Sequence, residues 1–182
     1  IFVGLIAAGA LDNATRQTGL SSMLFYIVVY GLTNLGAFGV VHALAEKAGG
    51  ENLENFNGMA QRAPFLSLML LVFVLSLAGV PPLAGFFGKF YLFEAAVGTA
   101  ENLGMLWLVG LAVGMSAVAL YYYLIVLKQI YVEPPPTGAA PVAADWLTKL
   151  AIVLLAAGVV LFGCWPELLV GKLAVWARYV NP

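Results

Sequence analysis

Three stretches of the chain contain no Asp, Glu, Lys or Arg: Gln17 to Ala45, Ala63 to Gly88 and Asn102 to Leu127. Each is longer than the ~18–20 apolar residues needed to cross a hydrocarbon core ~30 Å thick. Hydrophobic residues make up 63% of the chain and charged residues 9%, where soluble domains carry about a quarter. That balance excludes a water-soluble enzyme, a disordered chain and a secreted disulfide scaffold. The sequence describes an all-α integral membrane protein, a single multi-helix transmembrane bundle.

A net charge of −1 leaves no basic stripe, so nucleic acid is not expected as a partner. The single cysteine, Cys164, has no internal disulfide partner, and no Cys/His cluster has metal-ligand spacing. No glycine fingerprint follows a strand, so no metal or cofactor site is expected on this chain. Any redox cofactor then belongs to another polypeptide.

The chain opens inside an apolar run, IFVGLIAAGA, without the basic region that precedes a secretory signal. This run reads as a truncated helix over 1–11, in a fragment that begins partway through a membrane span. A polar turn, Asp12 to Gly19, leads to a helix over 20–45, and a polar connection from Glu46 to Arg62 follows. Further helices are expected over 64–97, 103–130 and 146–165. Pro64 suits a first helical turn, and Asp145 suits an N-cap. Glu133 to Ala144 (EPPPTGAAPVAA) reads as an extended linker. Residues 167–179, beyond Pro166, form an amphipathic stretch suited to the membrane interface. If the spans alternate, Lys47, Arg62, Lys128 and Lys149 share one face against Arg16, Lys172 and Arg178 on the other. Four against three favours the first face as cytoplasmic.

The 64–97 segment is anomalous. Its 34 residues would make a straight helix ~51 Å long, too long for one span. Its middle reads Gly79-Val80-Pro81-Pro82-Leu83-Ala84-Gly85. Two prolines remove two backbone donors, and the glycines lower resistance to unwinding. The segment therefore reads as a discontinuous helix, broken near 79–85. Such backbone survives at membrane depth only when buried in protein or facing a wet cavity. An ordinary proline kink is the alternative, and the segment's length favours the break.

Lys89 lies just past this break, inside an apolar stretch. A lysine at mid-membrane costs ~2.5–3.5 kcal/mol on insertion scales, so its presence calls for a reason. The positive end of the second half-helix and the loss of water both disfavour its ammonium form, which suits a proton relay. The competing reading is a lysine that snorkels to a headgroup, under which the Pro-Pro break has no purpose. Glu94 is ~140° around the helix from Lys89, so a strong partner must come from another helix.

Thr33 and Asn34 sit mid-span, where polar packing between helices competes with a place on a proton path. His42 titrates near neutrality and is a relay candidate, set against an interfacial or hydrogen-bonded role. Tyr121-Tyr122-Tyr123 followed by Lys128 match an aromatic belt with a snorkelling cation; the sharper alternative puts a tyrosine such as Tyr122 and Lys128 in a polar cavity. Trp107, Trp146, Trp165 and Trp176 read as interface anchors.

The string from Val72 to Phe93, VFVLSLAGVPPLAGFFGKFYLF, resembles the broken twelfth helix of the antiporter-like subunits of respiratory complex I, the proton-pumping NADH:quinone oxidoreductase. Within that group it looks most like subunit N. Asn34-Leu35-Gly36-Ala37-Phe38 resembles the family's eleventh helix, and Ala119 to Leu124 followed by Lys128 resembles its thirteenth. The resemblance runs from the end of the tenth helix to the fourteenth. It implies a bundle of two inverted repeats, of which this chain holds most of the second. The family's twelfth-helix charge falls on Lys89, implying a proton relay with Gly79, Pro81, Pro82 and Gly85 forming the break. The family's other charged stations lie on helices upstream of this chain.

The resemblance further implies a translocase subunit without redox chemistry of its own. NADH, FMN, iron–sulfur clusters and quinone would sit on partner subunits, with other membrane-arm subunits and the lipid bilayer as neighbours. A multi-pass place in the cell inner membrane is expected, with plastid and mitochondrial membranes as alternatives. The rival readings are a cation/proton antiporter subunit of the Mrp type and a passive membrane scaffold.

Overall fold

The computed structural model describes Gly9 and residues 13–50, 52–98 and 106–180; the helix expected over 1–11 lies outside them. Among the described residues all regular structure is helical. Helix α1 is Asn13–Ala48, a 3-10 turn covers Leu53–Phe56, and α2 is Met59–Arg62. Then come α3 (Pro64–Ala78), α4 (Ala84–Gly98), α5 (Leu106–Tyr131), α6 (Trp146–Cys164) and α7 (Glu167–Val180).

The centre of the bundle is α1, whose 36 residues extend ~54 Å. It starts at Asn13, so residues 13–19 are helical and not the expected turn. No proline interrupts them, and a nucleated helix propagates cheaply. Gly49 ends it in the left-handed region at φ 87°, and Gly50 N–H donates to the Ala45 carbonyl at 3.2 Å.

Along α1, Phe25, Val29, Thr33, Ala37, Val40 and Leu44 recur every three or four residues, and all are buried. Leu66, Leu70 and Phe73 of α3 and Ile152, Ala156 and Val159 of α6 face the same core. The outward faces are apolar as well, exposing Leu35 and Phe38 on α1 and Leu111, Val118 and Leu124 on α5. Helices apolar on all sides belong in lipid. Arg16–Ala48, Leu106–Tyr131 and Trp146–Cys164 are each long and apolar enough to cross a membrane, and Pro64–Ala78 is apolar but shorter.

α3 and α4 run one after the other along α1. Gly36 meets Phe73 and Thr33 meets Ser76, so three residues of α1 match three of α3. Further along, Tyr26 meets Gly88 and Phe25 meets Tyr91. Seven positions of α1, from 33 to 26, thus match twelve of the partner, from 76 to 88. The surplus of five equals the five residues between the half-helices, Gly79 to Leu83. They leave the helical path, and the axis resumes beyond them with almost no advance.

A second interruption abuts this one. α6 ends at Cys164, and a Cβ on Gly163 would collide with the Pro82 carbonyl oxygen. The bare glycine lets α6 press against the 79–83 turn. Beyond Pro166, α7 packs along α1. Leu169, Val170 and Leu173 pack on the core, Ala177 is buried, and Leu168, Val175 and Trp176 stay exposed. The inner stripe of this amphipathic helix is therefore covered by protein.

The polar segments close the opposite end. The Gly58 N–H donates to the Gln129 carbonyl at 3.1 Å, and the Val142 N–H to the Arg62 carbonyl at 2.9 Å. The Lys47 amine donates to the Ala143 carbonyl, and Arg62 Nε to the Ala140 carbonyl at 3.2 Å. The 133–144 segment, expected as an extended linker, is thereby held down, turning at Pro136–Ala139 and burying Val142. Asp145 precedes α6 without a side-chain cap; its carboxylate accepts from Thr148 Oγ1 at 3.1 Å.

Candidate functional site

The break creates two helix ends inside the bundle, and each end leaves backbone groups without intrahelical partners. At the end of α3, Gly79 adopts φ 86°, and its N–H donates to the Leu75 and Ser76 carbonyls at 3.1 and 3.0 Å. Two later carbonyls, of Leu77 and Ala78, receive the Lys89 amine at 3.0 and 3.2 Å. At the start of α4, the Gly85 N–H donates to Ser76 Oγ at 3.1 Å and the Phe86 N–H to the Leu83 carbonyl at 3.1 Å. Each half-helix is capped by a side chain of the other.

This geometry alters one expectation. Lys89 starts in the second turn of α4, but its half-buried side chain reaches back across the break to the carbonyl end of α3. The dipole end nearest the amine is negative and accommodates a cation, so the positive end of α4 is not its main electrostatic neighbour. Its partner does come from another element, as backbone oxygen rather than a carboxylate; Glu94 is exposed. A Cβ on Gly79 would lie 3.3 Å from the amine, so the glycine also leaves room for it.

Lys89 stands between two cavities. One, of about 340 Å³, lies between α1, α3, α4 and α5 and is lined by Tyr26, Tyr30, Thr33, Ser76, Ser116 and Tyr123 together with the lysine. The other, of about 280 Å³, is bounded by Gly79, Phe86, Phe90, Val113 and Ser116. Lys89, Phe93 and Ser116 line both. The first offers hydroxyl groups on three helices and is roomy enough for several waters. The second is mostly apolar.

Thr33 belongs to the first cavity: it is buried, donates to the Val29 carbonyl at 2.7 Å and lies 3.4 Å from Ser76 Oγ. Asn34, one residue around the helix, donates to the Tyr30 carbonyl at 2.7 Å and does not line the cavity. His42 is exposed, two and a half turns further along α1. Tyr122 is 63% exposed on the outer face of α5, and its neighbour Tyr123 lines the cavity instead. Lys128 is at the far end, paired with Glu133 at 2.9 Å. Pro81 and Pro82 lie in the exposed turn, while Gly79 and Gly85 make the close approaches. The four tryptophans are exposed, and each stands at or near a helix end.

Four hydroxyl-bearing cavity residues went unremarked in the sequence, Tyr26, Tyr30, Ser76 and Ser116, while Tyr123 was read only as part of the aromatic belt. Two signals existed. Tyr26, Tyr30 and Thr33 follow helical spacing on one face of an otherwise apolar span, and the two rings stack at 5.5 Å. Ser76 is one of two hydroxyls in the apolar run of α3 and stands three residues before Gly79, where the break begins. No group of three or more His, Cys, Asp or Glu among the described residues could hold a metal ion.

Residues 3–118 match the family described as "NADH:quinone oxidoreductase/Mrp antiporter, TM". The chain is 49% identical to NADH-quinone oxidoreductase subunit N 2 of Acidobacterium capsulatum, over 91% of this chain and 33% of that protein. It is 40% identical to NADH-quinone oxidoreductase subunit N 1 of Roseiflexus castenholzii, over 96% of this chain and 31% of that one. The chain thus spans about a third of the length of these curated relatives. Among solved structures, a chain of respiratory complex I from Thermus thermophilus with bound aureothin superposes with a TM-score of 0.70. The match has 29% identity and covers 87% of this chain and 36% of that one. Family match and fold agree, and the chain belongs to the NADH:quinone oxidoreductase/Mrp antiporter family of transmembrane proteins.

Proposed function

We propose that the protein is a proton-translocating membrane subunit of an NADH:quinone oxidoreductase, of the subunit N type, with Lys89 as a proton relay. The observation that carries this reading is the Lys89 amine at a helix break between two cavities. As an ammonium it makes charge-assisted hydrogen bonds to the Leu77 and Ala78 carbonyls. Once the proton leaves, the neutral amine is held by weaker bonds and is free to turn between the cavities. The hydroxyl-lined cavity supplies the wet side from which a proton loads, and the chain itself forms and breaks no bond beyond that N–H.

NADH, FMN, the iron–sulfur clusters and quinone act on partner subunits in this reading, and their redox energy reaches Lys89 through the neighbouring membrane-arm subunits. The bacterial relatives support a multi-pass place in the inner membrane. Lys89→Met keeps the aliphatic stem and removes the amine. In membrane vesicles holding the assembled complex, it is expected to abolish most NADH-driven proton pumping. Undiminished pumping would instead leave Lys89 a passive part of a scaffold. Because the family also includes Mrp antiporters, sodium movement is measured alongside. Sodium exchanged for protons without NADH would favour the antiporter.

A further inference from the structure

We infer that Ser76 is a positioning residue for Lys89, holding the two half-helices in the register that presents the α3 carbonyls to the amine. The inference rests on the relay reading of Lys89 and assigns the part of the site that controls it.

Proton counting defines the arrangement. Thr33 Oγ1 has one hydrogen, and it is committed to the Val29 carbonyl at 2.7 Å. The 3.4 Å contact between Thr33 and Ser76 therefore has Ser76 as its donor. The Ser76 oxygen in turn accepts the Gly85 N–H at 3.1 Å. One directed chain thus runs from the first turn of α4, through α3, into the middle of α1. Ser76 is fully buried, and Gly85 lies so close that a Cβ there would collide with the Ser76 carbonyl oxygen and hydroxyl. The next two carbonyls along α3, those of Leu77 and Ala78, hold the amine. Moving Ser76 therefore moves the cradle of Lys89.

Ser67 supplies an internal control. It lies on the same helix, is equally buried, and its hydroxyl has no hydrogen-bond partner. Ordinary packing of a small side chain is common to both serines, but only Ser76 ties the break together.

The experiment compares Ser76→Ala, Ser76→Thr, Ser67→Ala and Lys89→Met in the full-length subunit within the intact complex. Protons pumped per NADH oxidised are the readout, with assembly followed on native gels. Ser76→Ala should lower this ratio clearly below the parent, since losing that hydroxyl removes one buried hydrogen bond and orphans the Gly85 donor. Ser76→Thr keeps the hydroxyl and should restore most of the ratio, while Ser67→Ala should match the parent. Should Ser76→Ala fail to assemble, Thr33→Val takes its place, removing the acceptor of the Ser76 hydroxyl at nearly constant volume. A reduced ratio there carries the same meaning, and an undisturbed one overturns the inference. A parental ratio in Ser76→Ala, or equal losses in both alanine variants, also overturns it while leaving the relay intact. A parental ratio in Lys89→Met overturns the relay itself.

Discussion

Gly85 approaches the Ser76 carbonyl so closely that an added methyl would collide with it and with the serine hydroxyl. Gly85→Ala must therefore push the two half-helices apart or distort the first turn of α4. Overpacking of this kind costs about 1–3 kcal/mol. The expected outcome is a lower melting temperature for the detergent-purified complex and a loss of pumping; an unchanged melting temperature would show that the contact is not tight. At this scale the sequence made the charge visible but not its setting. Lys89 stood out because a lysine in an apolar run is costly. Its actual partners, two backbone carbonyls of α3, have no side-chain signature. The tyrosines of α5 show the same limit: each residue turns the helix by ~100°, so Tyr122 and Tyr123 point in different directions. The one signal on α5 is Ser116, seven residues before Tyr123 and therefore on the same face of an otherwise apolar helix, a spacing that sets Tyr123 apart from Tyr122.

At the level of elements, the discontinuity could be argued from length and proline alone, because a largely apolar segment of 34 residues is too long for one straight span. What abuts it could not. The end of α6 presses on the 79–83 turn through Gly163, whose Cβ would strike the Pro82 carbonyl oxygen. Gly163→Val should displace α6 from the turn and lower thermal stability by about 1–3 kcal/mol, with a larger effect on pumping than Gly171→Val on exposed α7. Equal behaviour of the two variants would show that the two breaks are not coupled. The ends of elements were the least legible. Polar residues 13–19 read as a turn, yet they extend α1, since a long, well-packed helix carries polar residues along at its end. The 167–179 stretch was legible as amphipathic, but only packing showed α1 covering its inner stripe.

Across the whole molecule, the polar connections 49–62 and 133–144 meet at one end. Lys47, Arg62, Lys128 and Lys149 all lie there, with the 133–144 linker strapped across by Lys47 and Arg62. Exposed hydrogen bonds of this kind add only ~0–1 kcal/mol each. Replacing Lys47 and Arg62 together by alanine should thus scarcely change global stability. It should nevertheless release the strap locally and speed proteolytic cleavage between 136 and 141. Limited proteolysis in membranes measures this, and cleavage at the parental rate would show the strap to be held by the backbone bond from Val142 to Arg62 and by the packing of Pro135 on Gly58.

By itself the sequence determined that the chain is helical and membrane-embedded, that one of its apolar runs is interrupted, and that a lysine lies beside the interruption. These follow from solvation costs, which are local and additive along a chain. Tertiary structure alone decided that serine and lysine exchange caps across the gap, that Thr33 and three tyrosines rather than Asn34, His42, Tyr122 or Lys128 line the cavity beside the lysine, and that a second helix end is pressed against the first. Those outcomes depend on the rotation and register of helices that are apolar on every face, and such helices find their orientation only by packing against each other.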